Sequence, residues 1–96
     1  MHYEWDERKN RENIRKHGVA FQDAQEVFDE PFHLSLLDER FDYLAERWIT
    51  IGLTKGKQII VVGHLYYLKE NGDEIIRIIT ARKGMKKERE HYENIG

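Results

Sequence analysis

The run Gln58-Ile59-Ile60-Val61-Val62-Gly63-His64-Leu65-Tyr66-Tyr67-Leu68, followed after a short break by Glu74-Ile75-Ile76-Arg77-Ile78-Ile79-Thr80-Ala81, decides how this chain folds. Both runs are dense in β-branched and aromatic residues and free of proline, so they read as strands. Asn71-Gly72, inside the Lys69 to Asp73 break, is a strong turn signal and makes the two strands antiparallel. Upstream, Arg47 to Leu53 alternates Ile49, Ile51 and Leu53 against Trp48, Thr50 and Gly52. Lys55-Gly56-Lys57 turns that segment back into the 58–68 strand as a hairpin. Phe32, Leu34 and Leu36 alternate against His33 and Ser35, which predicts a half-buried strand over about 32–37.

Helical patterns flank these strands. Asp6 is a good N-cap and Gly18 a good terminator, so the spacing predicts a helix over 7–17. That helix is strongly polar, with Ile14 its main apolar residue, and is expected to lie on the surface and lean on Trp5. Tyr3-Glu4-Trp5 ahead of it reads as a short strand or extended lead-in. Phe21, Ala24, Val27 and Phe28 recur at helical spacing until Pro31, which gives a second helix over about 21–28. Met85, Glu88, His91, Tyr92 and Ile95 mark a closing helix over 86–95, with His91 and Tyr92 expected to pack rather than react. The expected fold is α+β: two N-terminal helices, an antiparallel sheet of about four strands and a C-terminal helix. The 38–46 stretch is the longest loop.

Ninety-six residues suffice for one domain over 1–96. Cysteine is absent, which removes disulfides and thiolate metal sites. No run of about 18 apolar residues is present and the first residues lack a secretion signal's apolar core, so a cytoplasmic chain without membrane contact is expected. The five histidines are scattered at spacings that match no metal pattern, and no Gly-rich phosphate loop or nucleophile elbow occurs; neither metal nor cofactor is expected. Net charge is −2, but residues 7–17 hold five Lys/Arg against two Glu, and residues 77–91 hold six against two. Residues 18–46 hold eight Asp/Glu against Arg40 alone. Two basic segments separated by an acidic one suit a polyanion site, although solvated helices also carry mixed charge.

A resemblance sharpens this. Trp5-Asp6-Glu7, Lys9-Asn10, Asn13-Ile14, Lys16-His17-Gly18-Val19 and Phe21, then Phe28-Asp29 before Pro31, then Glu46-Arg47 leading into Ile49-Thr50-Ile51-Gly52 match in order. Ile78-Ile79-Thr80-Ala81-Arg82-Lys83 follows, with Glu88-Arg89 and Tyr92 behind it. Over nearly the whole chain this resembles the BrnT toxin family. The resemblance implies a RelE-like fold and the ribonuclease half of a type II toxin–antitoxin pair, with a BrnA-like antitoxin as partner and RNA as substrate. DNA is then reached only indirectly, through the antitoxin. It also implies metal-free cleavage, in which the ribose 2′-hydroxyl is driven onto the adjacent phosphate with a base, an acid and cations around the phosphorane. Arginine suits the cationic role because its planar fork grips two oxygens.

Arg82, at the end of the last strand, is the foremost phosphate-binding candidate; the alternative is a salt bridge to an acidic residue of the 23–46 segment. Arg77, between Ile75 and Ile79 on one strand face, either enters the cleft or pairs with a buried carboxylate. Arg47 either holds phosphate or snorkels to water. His17 is a proton-transfer candidate or simply a helix C-cap. His64 and Tyr67 lie on opposite faces by parity, so at most one enters a given cleft. The resemblance implies an arginine near the end of this central strand, where this chain has an aromatic such as Tyr67 unless Lys69 takes the place through a different register; an aromatic there could stack on a base. Lys83, His64 and Lys69 complete the set as substrate-binding candidates. The apolar 59–68 and 74–79 runs leave room for a homodimer. The rival reading is a RelE-like binding module, weak or inactive in catalysis, that acts through its antitoxin. The nuclease reading requires Arg47, Arg77 and Arg82 to share one surface without each being tied to its own carboxylate.

Overall fold

The computed structural model describes residues 1–38 and 46–95; most of the loop expected over 38–46 therefore lies outside the described residues. Strand β1 (His2–Glu4) is followed by α1 (Glu7–His17), α2 (Phe21–Ala24) and a 3₁₀ helix (Gln25–Asp29). Strands β2 (Leu34–Leu37), β3 (Arg47–Leu53), β4 (Ile59–Leu68) and β5 (Glu74–Lys83) come next, and α3 (Lys86–Ile95) ends the chain. The sheet has five strands in the order β1-β5-β4-β3-β2. All neighbours are antiparallel except β1, which lies parallel to β5. The expected α+β architecture holds. It gains a fifth strand because Tyr3 and Glu4 find a free edge on β5, a pairing with no local signal.

The inner face of the sheet is covered by α2 and the 3₁₀ helix, with Phe21, Val27, Ile60, Val62 and Ile78 fully buried. Toward one end of the outer face, Tyr92 of α3 packs on Ile51 and Val61, flanked by Ile49 and Leu53. This is the packing role expected of Tyr92, whereas His91 is exposed. Neither cluster takes in β2, and Phe32 and Leu36 are 57% and 56% exposed, so the alternation over 32–37 marks an edge strand rather than a half-buried one.

Helix α1 forms where expected, because the Asp6 carboxylate accepts from the Arg8 and Lys9 N–H groups and Gly18 takes the left-handed conformation, φ 70°. Its attachment differs from expectation. Ile14 is 44% exposed, and the buried residues of the helix are Asn10 and Asn13. Asn13 Nδ2 donates to Ala81 O at 2.7 Å and to Val19 O at 2.8 Å, while Asn13 Oδ1 accepts from Ala81 N at 3.1 Å. Strand β1 pairs with β5 only as far as Arg77, so the Asn13 amide acts as a substitute strand on the edge that β1 leaves open. Asn10 Oδ1 accepts from Phe21 N at 2.8 Å and ties α2 to the same helix. Trp5 packs edge-on against Phe21, 6.2 Å between ring centres.

Asn13→Leu leaves both polar backbone groups of Ala81 buried without a partner and should cost on the order of 3 kcal/mol in urea unfolding. Ile14→Ser should change stability by less than about 0.5 kcal/mol. Equal losses would mean that α1 is held by its apolar side chain after all.

Candidate functional site

Cross-strand register places the candidate residues. Arg47 of β3 pairs with Leu65 of β4, Leu65 with Arg77 of β5, and Arg77 with Glu4 of β1, so one row across the outer face carries two arginines and a carboxylate. Tyr67 lies two residues along β4 on the same face. In the other direction Gly63 pairs with Thr80 and Val61 with Arg82. The register steps from Gly63–Thr80 to His64–Ile78, so β5 carries one extra residue, Ile79. A regular strand would send Arg77 and Arg82, five positions apart, to opposite faces; the bulge brings both to the outer face.

Gly63 shapes this surface. A Cβ there would lie 2.6 Å from Thr80 Oγ1 and 3.3 Å from Arg47 Nη2, so the guanidinium of Arg47 and the hydroxyl of Thr80 meet over a bare stretch of backbone. At the flank, His17 lines a cleft between α1 and β5 with Lys9, Lys16 and Thr80. Lys69 is exposed just beyond Tyr67 and close enough to Glu4 to lower its pKa electrostatically. Arg47, Arg77, Arg82 and Tyr67 thus share one surface, with His17 and Lys69 at its edges. Lys83, one residue past Arg82, lines a separate cleft beside α3.

Each arginine also has a carboxylate partner. Arg82 Nη1 and Nη2 donate to the two oxygens of Glu88, each at 2.7 Å, and Glu88 Oε1 caps the start of α3 by accepting from Met85 N at 2.8 Å. Among the described residues the carboxylate on Arg82 is thus one of α3, and residues 39–45 of the 23–46 segment lie outside the described residues. Arg77 Nη1 donates to Glu4 Oε1 at 3.3 Å, and Tyr67 Oη donates to the same oxygen. Arg47 Nε lies 3.7 Å from Asp38 Oδ2, whose residue is buried. The three guanidiniums satisfy the requirement of a common surface and fail the requirement of being untied. Hydrogen bonding by Tyr67, helped by Arg77, holds the Glu4 carboxyl below its ordinary range, and the same bond pushes the Tyr67 phenol up. Tyr67 is therefore a protonated donor at neutral pH.

His64 stands apart, on the inner face with the sheet between it and the arginines. Its ring meets Phe28 edge-on at 4.9 Å, and it lines an apolar pocket with Trp48, Tyr66 and Ile76. His64 Nδ1 faces the Leu65 carbonyl at 3.4 Å and so carries the proton; Nε2 accepts from the Thr50 hydroxyl at 2.8 Å, and Thr50 Oγ1 in turn accepts from Ser35 at 2.7 Å. Burial depresses its pKa to about 4. Glu4, Gly63, Thr80 and Glu88 belong to the arginine surface and were absent from the sequence candidates. Only Gly63, an isolated glycine inside a strand, offered a signal, since such glycines mark bulges and close approaches. Among the described residues, no three of His, Asp or Glu converge as a metal site.

Gly63→Ala should lower stability by about 1–3 kcal/mol in thermal unfolding, because Thr80 or Arg47 must give way; parent-like stability would show that both move freely. The unfolded chain takes up a proton at His64 near pH 6.5, which the folded state refuses until about pH 4. Stability is therefore lost as pH falls through that window, by up to about 3 kcal/mol. His64→Gln should flatten the fall, and an unchanged pH profile would remove His64 as its cause.

The family model for the ribonuclease toxin BrnT of type II toxin–antitoxin systems matches residues 5–88. Comparison with curated proteins gave no match. Among solved structures, the crystal structure of the Brucella abortus ribonuclease toxin BrnT is similar, at 28% sequence identity and a TM-score of 0.61; the likeness covers 90% of this chain and 99% of that one. No helix among the described residues is long and apolar enough to cross a membrane. The motif order, the α+β fold and the family match over residues 5–88 lead to one assignment: this chain belongs to the BrnT family of ribonuclease toxins of type II toxin–antitoxin systems.

Proposed function

We propose that this chain is a metal-independent endoribonuclease that acts in the cytoplasm, inhibits growth by cutting RNA and is neutralised by a BrnA-type antitoxin. The observation that supports the reading is the gathering of Arg47, Arg77, Arg82 and Tyr67 on one sheet face. A scissile phosphate over Leu65 and Gly63 would lie between Arg47 and Arg77, with Arg82 farther along β5. His17 at the α1 flank takes the 2′-hydroxyl proton. The 2′-oxygen attacks phosphorus, and Tyr67, at the opposite end of the row, gives its proton to the departing 5′-oxygen. The arginines neutralise the charge on the phosphorane, and the products are a 2′,3′-cyclic phosphate and a free 5′-hydroxyl.

The carboxylate partners fit this scheme as orienting groups. Arg77 with Glu4 and Arg82 with Glu88 are partly exposed pairs, with side chains 26–39% accessible. A pair of the exposure and single contact of Arg77 with Glu4 contributes about 0–1 kcal/mol, so a phosphate displaces that carboxylate readily, whereas the bidentate Glu88 on Arg82 is the harder one to displace. The same pairing is also the specific observation that favours the second reading, a RelE-like binding module whose guanidiniums are already neutralised and which works only through its antitoxin.

Protein freed from its partner should cleave RNA in EDTA. Arg82→Ala should lower the rate on the order of 10²–10³-fold, while Glu88→Gln, which loosens Arg82 without removing it, should retain or raise it. Intact RNA together with a tight stoichiometric antitoxin complex would favour the binding module. Equal losses in both variants would reduce Arg82 to a strut for α3.

A further inference from the structure

A second group of cations meets at the end of the sheet away from Tyr67. Lys57 in the β3–β4 turn, Lys83 at the close of β5 and Arg89 of α3 line one cleft, with Gly84 at its base and Glu93 its one acidic residue. Among the described residues none of these three cations forms an ion pair, in contrast to Arg47, Arg77 and Arg82.

Two features indicate that the cluster is built rather than incidental. Lys57 has φ 68°, the left-handed region that a glycine occupies without steric cost, although glycine stands only one position earlier, at Gly56. A lysine in that conformation bears a local backbone cost, as side chains with a function often do. The stem of Arg89 rests on bare backbone: a Cβ on Gly84 would lie 3.3 Å from Arg89 Cγ and 3.1 Å from Ile59 Cγ2, and Gly84 N donates to Ile59 O at 2.8 Å. A Cβ at position 84 would make Ile59 and the Arg89 stem shift to admit it.

We infer that this cleft is a distal phosphate subsite that holds the backbone of an RNA strand whose scissile linkage lies on the arginine face; the inference rests on the ribonuclease reading. The two sites are joined along β5, because Arg82 and Lys83 are consecutive and Arg82 Nη1 also donates to Lys83 O at 3.4 Å. The cleft lies at the Ile59 row and Arg47 with Arg77 at the Leu65 row, so about 20 Å of β4 separates them. A dinucleotide cannot span that distance, and a strand of several nucleotides can. Unpaired cations on flexible stems suit a phosphodiester backbone, whose recognition needs charge rather than base-specific contacts.

The test uses a 2′-O-methylated RNA of about 12 nucleotides, which binds without being cut because its 2′-oxygen cannot attack. Lys57→Gly relieves the backbone conformation, so the Lys57→Gly, Arg89→Gln double variant should melt within a few degrees of the parent. It should bind the 12-mer about tenfold more weakly, with a salt-dependence slope shallower by roughly 1.4, the share of two lost phosphate contacts. Glu93→Gln should tighten binding of the same oligonucleotide. A folded double variant with the affinity and slope of the parent overturns the subsite even if the parent cuts RNA. A parent that binds the 12-mer through Lys57 and Arg89 but leaves RNA uncut overturns the ribonuclease reading and leaves the subsite standing, and failure of the parent to bind the 12-mer overturns both.

Discussion

One extra residue in one strand sets the character of the outer face. Side chains alternate along a regular strand, so Arg77 and Arg82 would be divided between an aqueous face and a packed core. The bulge at Ile79 changes the phase of β5 between them. Ile76, Ile78 and Ala81 all stay in the core, and Arg77, Thr80 and Arg82 all reach the opposite surface. Gly63 is the matching concession on β4, because any Cβ there would collide with Thr80. The bulge and the glycine form one device, which places Arg77, Thr80 and Arg82 on the outer face beside Arg47.

The same strand is held from outside by α1. Asn13 bonds both backbone groups of Ala81, the residue just before Arg82. A polar attachment of this kind suits a helix with almost no apolar face, and it is directional where hydrophobic contact is not. It fixes the end of β5 relative to α1, and so fixes His17 and Lys16 relative to Thr80. Fold and site therefore share their supports.

The electrostatics are balanced at the centre and unbalanced at the periphery. The three arginines of the outer face each meet a carboxylate, which holds the guanidiniums in position in a chain whose net charge is −2. Such pairing limits the free-energy gain from binding any passing polyanion, because the carboxylate must be displaced first. At the sheet's far end Lys57, Lys83 and Arg89 carry no such restraint among the described residues. Long-range attraction for a phosphate backbone is then concentrated away from the row where bond breaking is proposed, an arrangement that favours substrates long enough to touch both places.

The strand pattern, the Asp6 and Gly18 caps of α1, the Asn71-Gly72 turn and the family match were all legible in the sequence, because each rests on local spacing or on residue order. Local rules also separated His64 from Tyr67 correctly. What they could not supply was anything that depends on partners distant in the chain. The pairing of β1 with β5, the Asn13 clasp on Ala81, and the carboxylates of Glu4, Asp38 and Glu88 opposite their arginines are all of that kind. The extra residue at Ile79 belongs with these: a bulge is a property of two strands in register, and one strand read alone does not contain it. The sequence determined which segments are strands and helices; only the tertiary structure decided which charges face one another, because register and edge pairing are settled by contacts between residues far apart along the chain.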